Sequence, residues 1–455
     1  MPPTYDRPGR IAGIVQRDPC EAMRHVNTQE LIITWATPVF FLLIGIELLV
    51  ARLRGRAAYA SGDTVNSIGL GVISQIVGVF SKLLTLGIYA WCAEHLALFA
   101  LPADSLWVWA GALLLYDFCY YWLHRLGHEV NILWAAHVVH HQSEHYNLST
   151  ALRQTGSGVL LGWLFYLPLA LLGVPLKVFV VVALIDLLYQ FWVHTEQIGR
   201  LGWFDRVFCS PSNHRAHHAV NDRYLDRNYG GILIVWDRLF GSFVEEDDGD
   251  PPVYGTRSPL RSWNPLWANA EVYWHTALDA WHARRWRDKL LVWLKPPGWR
   301  PADVAARYPK PDFVLPNERF DPPLPRPLKL YVLLQFALLL GMTTQFLGMA
   351  GTASLPALLG YAVYLVAGLC VIGALMEGRR WAPWAEGVRV LATAAVPLLG
   401  GRWFGIGHLD GHIALAIAVV FGLSAMALPW LRPSSAGAGA GVATVPAESA
   451  TASLR

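Results

Sequence analysis

The sequence predicts an all-α fold: a polytopic helical membrane protein with a histidine-rich metal domain at the cytosolic face of the bilayer. Three observations carry that expectation. Of 455 residues, 54% are hydrophobic and only 15% are charged, with a mean hydropathy of +0.34, an apolar balance beyond that of soluble domains. Apolar stretches recur that are long enough to cross a hydrocarbon core of about 30 Å, which takes about 20 helical residues. Ten of the 16 histidines lie between His124 and His218, in spaced groups.

In chain order, residues 1–30 are polar and arginine-bearing with no apolar signal-peptide core, so targeting falls to the first span. Spans are predicted at 31–50, 68–101, 105–123 and 157–194. The second is long enough to include an interfacial portion, and the last reads as a tight hairpin broken at LLGVPLK, around Gly173 and Pro175. From 195 to 326 the chain is polar and holds no span. Residues 31–300 make a membrane-embedded domain that carries the histidines, and 301–326 a linker. Four further apolar segments near 328–349, 354–376, 383–400 and 411–431 make a C-terminal four-helix region, 327–432. The Ala, Gly, Ser and Thr of 433–455 read as a disordered tail. Within 262–299, seven tryptophans alternate with Arg284, Arg285, Arg287 and Lys289, the composition of an amphipathic helix lying among lipid headgroups.

A net charge of +3 on a chain sparse in all four charged types gives no field for nucleic acid, so that class of partner is excluded. Five cysteines, Cys20, Cys92, Cys119, Cys209 and Cys370, show no CxxC or zinc-like spacing, so any metal must be held by nitrogen or oxygen. The positive-inside rule puts Arg52, Arg54 and Arg56 and the polar region in the cytoplasm, and the span count then brings the 129–156 loop and the Arg379–Arg380 turn to the same side. The arginines ahead of the first span oppose this orientation.

The histidines form three boxes. His124 and His128 are four apart at the end of a span; His137, His140 and His141 make an HxxHH; His214, His217 and His218 make another. Helical residues three or four apart share a face, so each box projects its imidazoles together, and three such faces can converge. Eight imidazoles packed without metal would leave acceptors unsatisfied or charges in repulsion. One four-coordinate ion uses at most four, so the number points to two ions. Imidazole alone leaves Zn, Cu, Fe and Ni open.

Two stripes support the boxes. Asp117, Tyr121, His124 and His128 share a face, as do Asp186, Gln190 and His194. A carboxylate within a span is costly without a partner or a task. Asp117 and Asp186 are therefore candidates to orient ligating imidazoles, and His194 is a candidate ninth ligand. His145 reads as a neighbour of the site or a solvent residue, and the remaining histidines as ordinary polar residues. The sequon at Asn147 falls between two boxes on the presumed cytoplasmic side, which argues against glycosylation.

The boxes HRLGH, HVVHH and HRAHH, in that order beside spans, resemble the tripartite signature of the membrane fatty acid hydroxylase/sterol desaturase superfamily. HEVNILWAAHVVHHQSEHYNLSTALRQ, FWVHTEQIGRLG and SPSNHRAHHAVNDRYLDRNYGGILIVWDRLFGSF resemble its alkylglycerol monooxygenase branch, over residues 30–300. The resemblance implies that His124, His128, His137, His140, His141, His214, His217 and His218, with His194, bind two iron ions that activate O2 for attack on a lipid C–H bond. It implies that Glu129 tunes the site, with Asp117 and Asp226 as further catalytic candidates. Asn147, Arg153, Gln154, Asp186, Asn228 and Tyr229 are then expected around the ligands or substrate. Asn213, Gln142 and His145 depart from the branch pattern at positions that border the ligands.

The implied activity is a lipid monooxygenase that hydroxylates the carbon next to an ether oxygen of an alkylglycerol-type lipid, giving a hemiacetal that collapses to an aldehyde and an alcohol. Tetrahydrobiopterin is the implied external electron donor, and no HPGG-type haem module is present to supply electrons from within the chain. Two other readings are open. A sterol, fatty acyl or carotenoid hydroxylase or desaturase would use the same metals, whereas a metal transporter or sensor would spread its ligands along a path across the bilayer.

Overall fold

The computed structural model describes residues 19–431 except 316–317, 401–402, 405–406 and 408; in 19–35, 82–83 and 399–400 only the backbone is described. The expected tail at 433–455 lies outside these residues, as do positions 1–18 of the expected polar segment, whose remainder is already helical. The described residues are helical, with isolated bridges and no strand.

Three long helices come first: α1 (Pro19–Leu53), α2 (Ser61–His95) and α3 (Leu106–Glu129). The second box lies on α4 (Asn131–His141), followed by the single turn α5 (Leu148–Ala151), where Asn147 caps Ser149 N and Thr150 returns the bond. The expected hairpin breaks where the sequence indicates, between α6 (Leu167–Leu172) and α7 (Leu176–Trp192). Gly173 turns there with φ of 87°, and a Cβ on it would fall 1.9 Å from Phe99 O, so only glycine fits.

The first limb of that hairpin departs from expectation. In place of a spanning helix it is two 3-10 turns, Gly158–Leu160 and Gly162–Tyr166, followed by the short α6. Irregular backbone at membrane depth is tolerated where it lines a cavity, and these turns do so.

Short helices α8 (Phe204–Val207), α9 (Pro211–His218) and α10 (Val235–Phe240) build the polar region, and the tryptophan-rich segment folds as α11 (Pro265–His282) and α12 (Trp286–Leu294). Asn131 at the start of α4 donates to Thr276 and to the Val292 carbonyl, which seats the second box on α11 and α12. Trp274, Trp281 and Trp286 face outward, the arrangement expected of a helix pair at a membrane surface.

The single turn α13 (Ala302–Arg307) leads into α14 (Arg326–Met349), α15 (Leu355–Met376), α16 (Ala382–Gly400) and α17 (Gly411–Ala427). They bury Leu339, Phe346, Tyr361, Leu365 and Val390 in one cluster with Val65, Ile68, Val72 and Ile76 of α2, so the C-terminal helices share a core with the histidine-bearing half. Six helices among the described residues are long and apolar enough to cross a membrane: α1, α2, α3, α14, α15 and α17. The 17-residue α7 and the glutamate- and arginine-bearing α16 are not among them.

The ends carrying the boxes share one face. Arg54 donates to Gln197 and Arg56 to the Glu196 carbonyl, while Glu377 accepts from Ser262 and Trp263 N. The Arg52–Arg56 cluster, the polar region and the turn beside Arg379 thus lie together, as the span count requires.

Candidate metal centre

Nine histidines meet at the box-bearing face and divide into two groups. His124, His128, His137, His141 and His217 form one, and His140, His194, His214 and His218 the other; within each, the ligand nitrogens lie within 4.8 Å of one another. Successive helical residues are rotated by about 100° and residues four apart nearly coincide, so each HxxHH box splits. On α4 the outer pair His137 and His141 joins the first group and His140 the second; on α9 the outer pair His214 and His218 joins the second and His217 the first. The two boxes exchange their middle histidines. Local sequence favours both helices: Ser210 caps α9 at Asn213 N with Pro211 in the first turn, and α4 starts on the α11 and α12 seat.

Five of the nine have the outer nitrogen committed. Nδ1 of His124 donates to Tyr229 O (2.8 Å), of His140 to Arg153 O (2.9 Å), of His194 to Gln190 O (2.7 Å) and of His217 to Arg227 O (2.8 Å), while Nδ1 of His128 faces Asp226 Oδ1 at 3.3 Å. A carbonyl only accepts, so these Nδ1 atoms carry the proton and a neutral ring turns an Nε2 lone pair inward. Nε2 of His124, His128 and His217 is buried with no protein partner. Nε2 of His140 and of His194 stand 3.1 Å apart with their protons on the far side of each ring. Two lone pairs so placed repel unless a cation lies between them.

The spacing fits a metal ion. Two nitrogens bound at right angles at about 2.1 Å sit about 3 Å apart. The contacts His141–His137, His140–His194, His194–His214 and His214–His218 span 3.0 to 3.2 Å. Burial, then repulsion from neighbouring imidazoles, holds His137, His141, His214, His217 and His218 well below the ordinary range, and burial takes His140 down to about 4. These six are therefore neutral nitrogen donors at physiological pH, and an imidazole set suits Fe, Zn, Cu or Ni.

The carboxylates and polar residues singled out in the sequence take several positions. Asp226, at φ of 56°, reaches His128. Asp117 accepts from Ile232 N, Leu233 N and Trp236 Nε1, so its bonds go to the start of α10 and the residues just before it and not to an imidazole. Glu129 is held by Arg125 at 2.9 Å with its side chain 40% exposed, outside both groups. Asp186 accepts from Gln190 through one oxygen, and its other oxygen is buried without a partner.

The Arg153 guanidinium donates to Val139 O, Ser67 and Gln142, and burial pushes it down to about 10. Its carbonyl is what holds His140. Asn147 caps α5 and donates to Ala58 O; Asn228 ties Asn213 O to Val244. Tyr229 offers its carbonyl to His124, packs its ring against His124, His128 and His217, and has an unpartnered hydroxyl. Gln154 lines the cavity described below. His145 and Asn213 stand outside both groups.

Sequence reasoning passed over Asp237, Tyr146 and Trp134. Asp237 accepts Tyr229 N, Gly230 N and Ser242 Oγ, which fixes the carbonyl that holds His124; burial pushes it up to about 6. Tyr146 lies against His194, His214 and His218, and Trp134 against His128 and His141. Their roles arise from packing across the chain, and no local spacing announces them. Asp237→Asn turns an N–H toward Gly230 N and removes an acceptor. It is expected to weaken metal retention by about 10- to 100-fold, as loss of a group behind a ligand does, measured by chelator competition.

A cavity of about 620 Å³ adjoins the centre. His124 and His137 of one group and His140 and His194 of the other border it, and the rest of its wall includes α1, α2, α3, α4, α7, α14, the 151–162 segment and Tyr273 of α11. Along α3 it runs from Gly127 to Tyr116, about 16 Å of helix. Both groups thus open onto one space within the helical bundle.

The fatty acid hydroxylase family model matches residues 109–242, which contain all nine histidines. Alkylglycerol monooxygenase of Homo sapiens is 37% identical over 359 residues, covering 78% of this chain and 80% of that protein. The Danio rerio alkylglycerol monooxygenase is 37% identical over 351 residues, 76% of this chain and 77% of that protein. Ornithine lipid hydroxylase OlsE of Rhizobium tropici is 33% identical over 136 residues, 29% of this chain and 40% of that protein. No solved structure matches the chain.

Proposed function

The chain belongs to the fatty acid hydroxylase family, with the alkylglycerol monooxygenases, and is a membrane monooxygenase; from that premise we propose that it is a di-iron, O2-dependent enzyme that hydroxylates the carbon next to the ether oxygen of an alkylglycerol-type lipid. The observation that carries this reading is the pair of imidazole groups bordering one cavity inside a bundle of membrane helices. His124, His128, His137, His141 and His217 would hold one iron and His140, His194, His214 and His218 the other. The iron pair, when bound, supplies the activation of O2.

The chain's own part is positioning. Carbonyls of Tyr229, Arg153, Gln190 and Arg227 fix ring orientation, and Asp226 adds a carboxylate behind His128. The apolar wall takes the lipid tail, excludes bulk water and holds the target carbon beside the histidines. The reaction balances as one ether CH2, one O2, two electrons and two protons giving one hemiacetal and one water. The hemiacetal then breaks its C–O bond to release aldehyde and alcohol. The electrons come from an external donor, tetrahydrobiopterin in this reading, and the active site faces the cytoplasm.

The test couples metal analysis of purified protein to aerobic turnover of a labelled ether lipid with reduced pterin. About two irons per chain, one for each imidazole group, with aldehyde release supports the reading. Stoichiometric zinc without oxygen uptake overturns it, and product oxidised without C–O cleavage selects a different lipid hydroxylase.

A further inference from the structure

The cavity is not walled by the histidine-bearing half alone. Leu340, Thr343, Thr344 and Leu347, all on α14, line it, as do Thr37 and Phe41 of α1. These four lie on a helix of the C-terminal region, well outside the 109–242 match.

Their depth follows from the register of α14 along α2. Near the box-bearing face, Gly71 of α2 packs so closely on Leu152 O that a Cβ would lie 2.3 Å from it; Leu152 precedes Arg153, whose carbonyl holds His140. Phe336 of α14 stands level with Gly69, whose Cβ position is 3.9 Å from its ring, and Phe346 stands level with Phe80, ring to ring at 6.4 Å. Leu347 therefore lies about nine residues farther along α2 than the Leu152 contact, about 14 Å deeper into the bundle. The wall there is apolar even at the threonines. Thr343 donates its hydroxyl to Leu339 O and Thr344 to Leu340 O, so both spend their polar atom on their own helix and leave methyl groups at the surface.

We propose that α14 closes the tail end of the substrate cavity and that Leu347 sets the length of hydrocarbon tail the enzyme accepts. The inference rests on the lipid monooxygenase reading for its occupant, an extended alkyl tail whose polar end lies at the histidines. A bulkier side chain at Leu347 shortens the space without touching the imidazoles. A smaller one lengthens it.

Leu347→Trp is compared with Leu347→Ala and with Leu330→Trp, a control whose parent side chain is 69% exposed and outside the cavity. Each protein is assayed on alkylglycerols of graded tail length. Separately it is incubated with an equimolar mixture of alkylglycerols and fatty acids of graded length, and bound lipid is extracted and identified by mass spectrometry. Leu347→Trp is expected to lose about tenfold or more in kcat/KM on the longest tails, the scale on which a filled methylene site discriminates, and to keep the shortest. Leu347→Ala should shift both profiles toward longer tails, and Leu330→Trp should shift neither. A loss equal at all lengths in Leu347→Trp, or a bound-lipid profile identical to the parent's in Leu347→Ala, overturns the proposal. If the parent cleaves no ether lipid, the functional reading fails while the bound-lipid profiles still decide this one.

Discussion

If each imidazole group holds one ion, as proposed, replacing His194 by alanine is expected to remove about one of the two and to lower turnover by more than about 100-fold, beyond the upper end of what losing a group behind a ligand costs. His194 is one of the two inner members of its group: its Nε2 lies 3.1 Å from that of His140 and 3.1 Å from that of His214, and its Nδ1 is pinned to Gln190 O at 2.7 Å. Alanine leaves three nitrogens where four converged, and opens the site toward the cavity that His194 borders. The five-histidine group keeps all its members, so its ion should stay. Elemental analysis and turnover on a lipid ether check both halves of the expectation. His145→Ala, at a histidine outside both groups, should retain metal and at least half of the activity. Full metal content in His194→Ala would remove this residue from the centre.

Local spacing made most of that centre legible in advance. The boxes announce themselves because i, i+3 and i+4 place side chains on one face, and His194 follows from its stripe with Asp186 and Gln190. The division of each HxxHH between two groups was not legible. It depends on how α3, α4, α7 and α9 are turned toward one another, which no single helix encodes. The same limit explains Asp117 and Glu129. A helical stripe says which face a carboxylate shares, not whether a segment such as 232–236 or an arginine such as Arg125 reaches it first. In the fold, hydropathy located the helices and Gly173 located the break, because a positive φ leaves a local mark. The collapse of 158–166 into 3-10 turns was hidden, since an apolar run facing a cavity and one facing lipid have the same composition.

Glu386→Ala should destabilise the C-terminal helices by about 3–5 kcal/mol, the cost of stranding one member of a buried ion pair. Glu386 and Arg389 of α16 face each other at 2.7 Å with side chains 0% and 6% exposed. Arg389 also donates to Gln335 of α14 and Tyr364 of α15, Tyr331 of α14 donates to Glu386, and Gln335 passes the chain on to Ser424 of α17. Every helix of the region has a bond in this network. Removal of the carboxylate leaves a guanidinium among apolar side chains with its neutral acceptors alone, and the penalty comes from that uncompensated charge more than from the lost attraction. Thermal unfolding in detergent, followed by helical signal, measures the loss. Glu386→Leu with Arg389→Met should recover much of it, because an apolar pair of similar volume leaves no charge behind. A double variant no better than Glu386→Ala would mean that the bonds themselves, and not the stranded cation, set the stability. Tyr331 and Gln335 lie on the same helix as Leu347, so loosening this network should also blur the selection of tail length. The buried pair would then be felt at a metal centre that it does not touch.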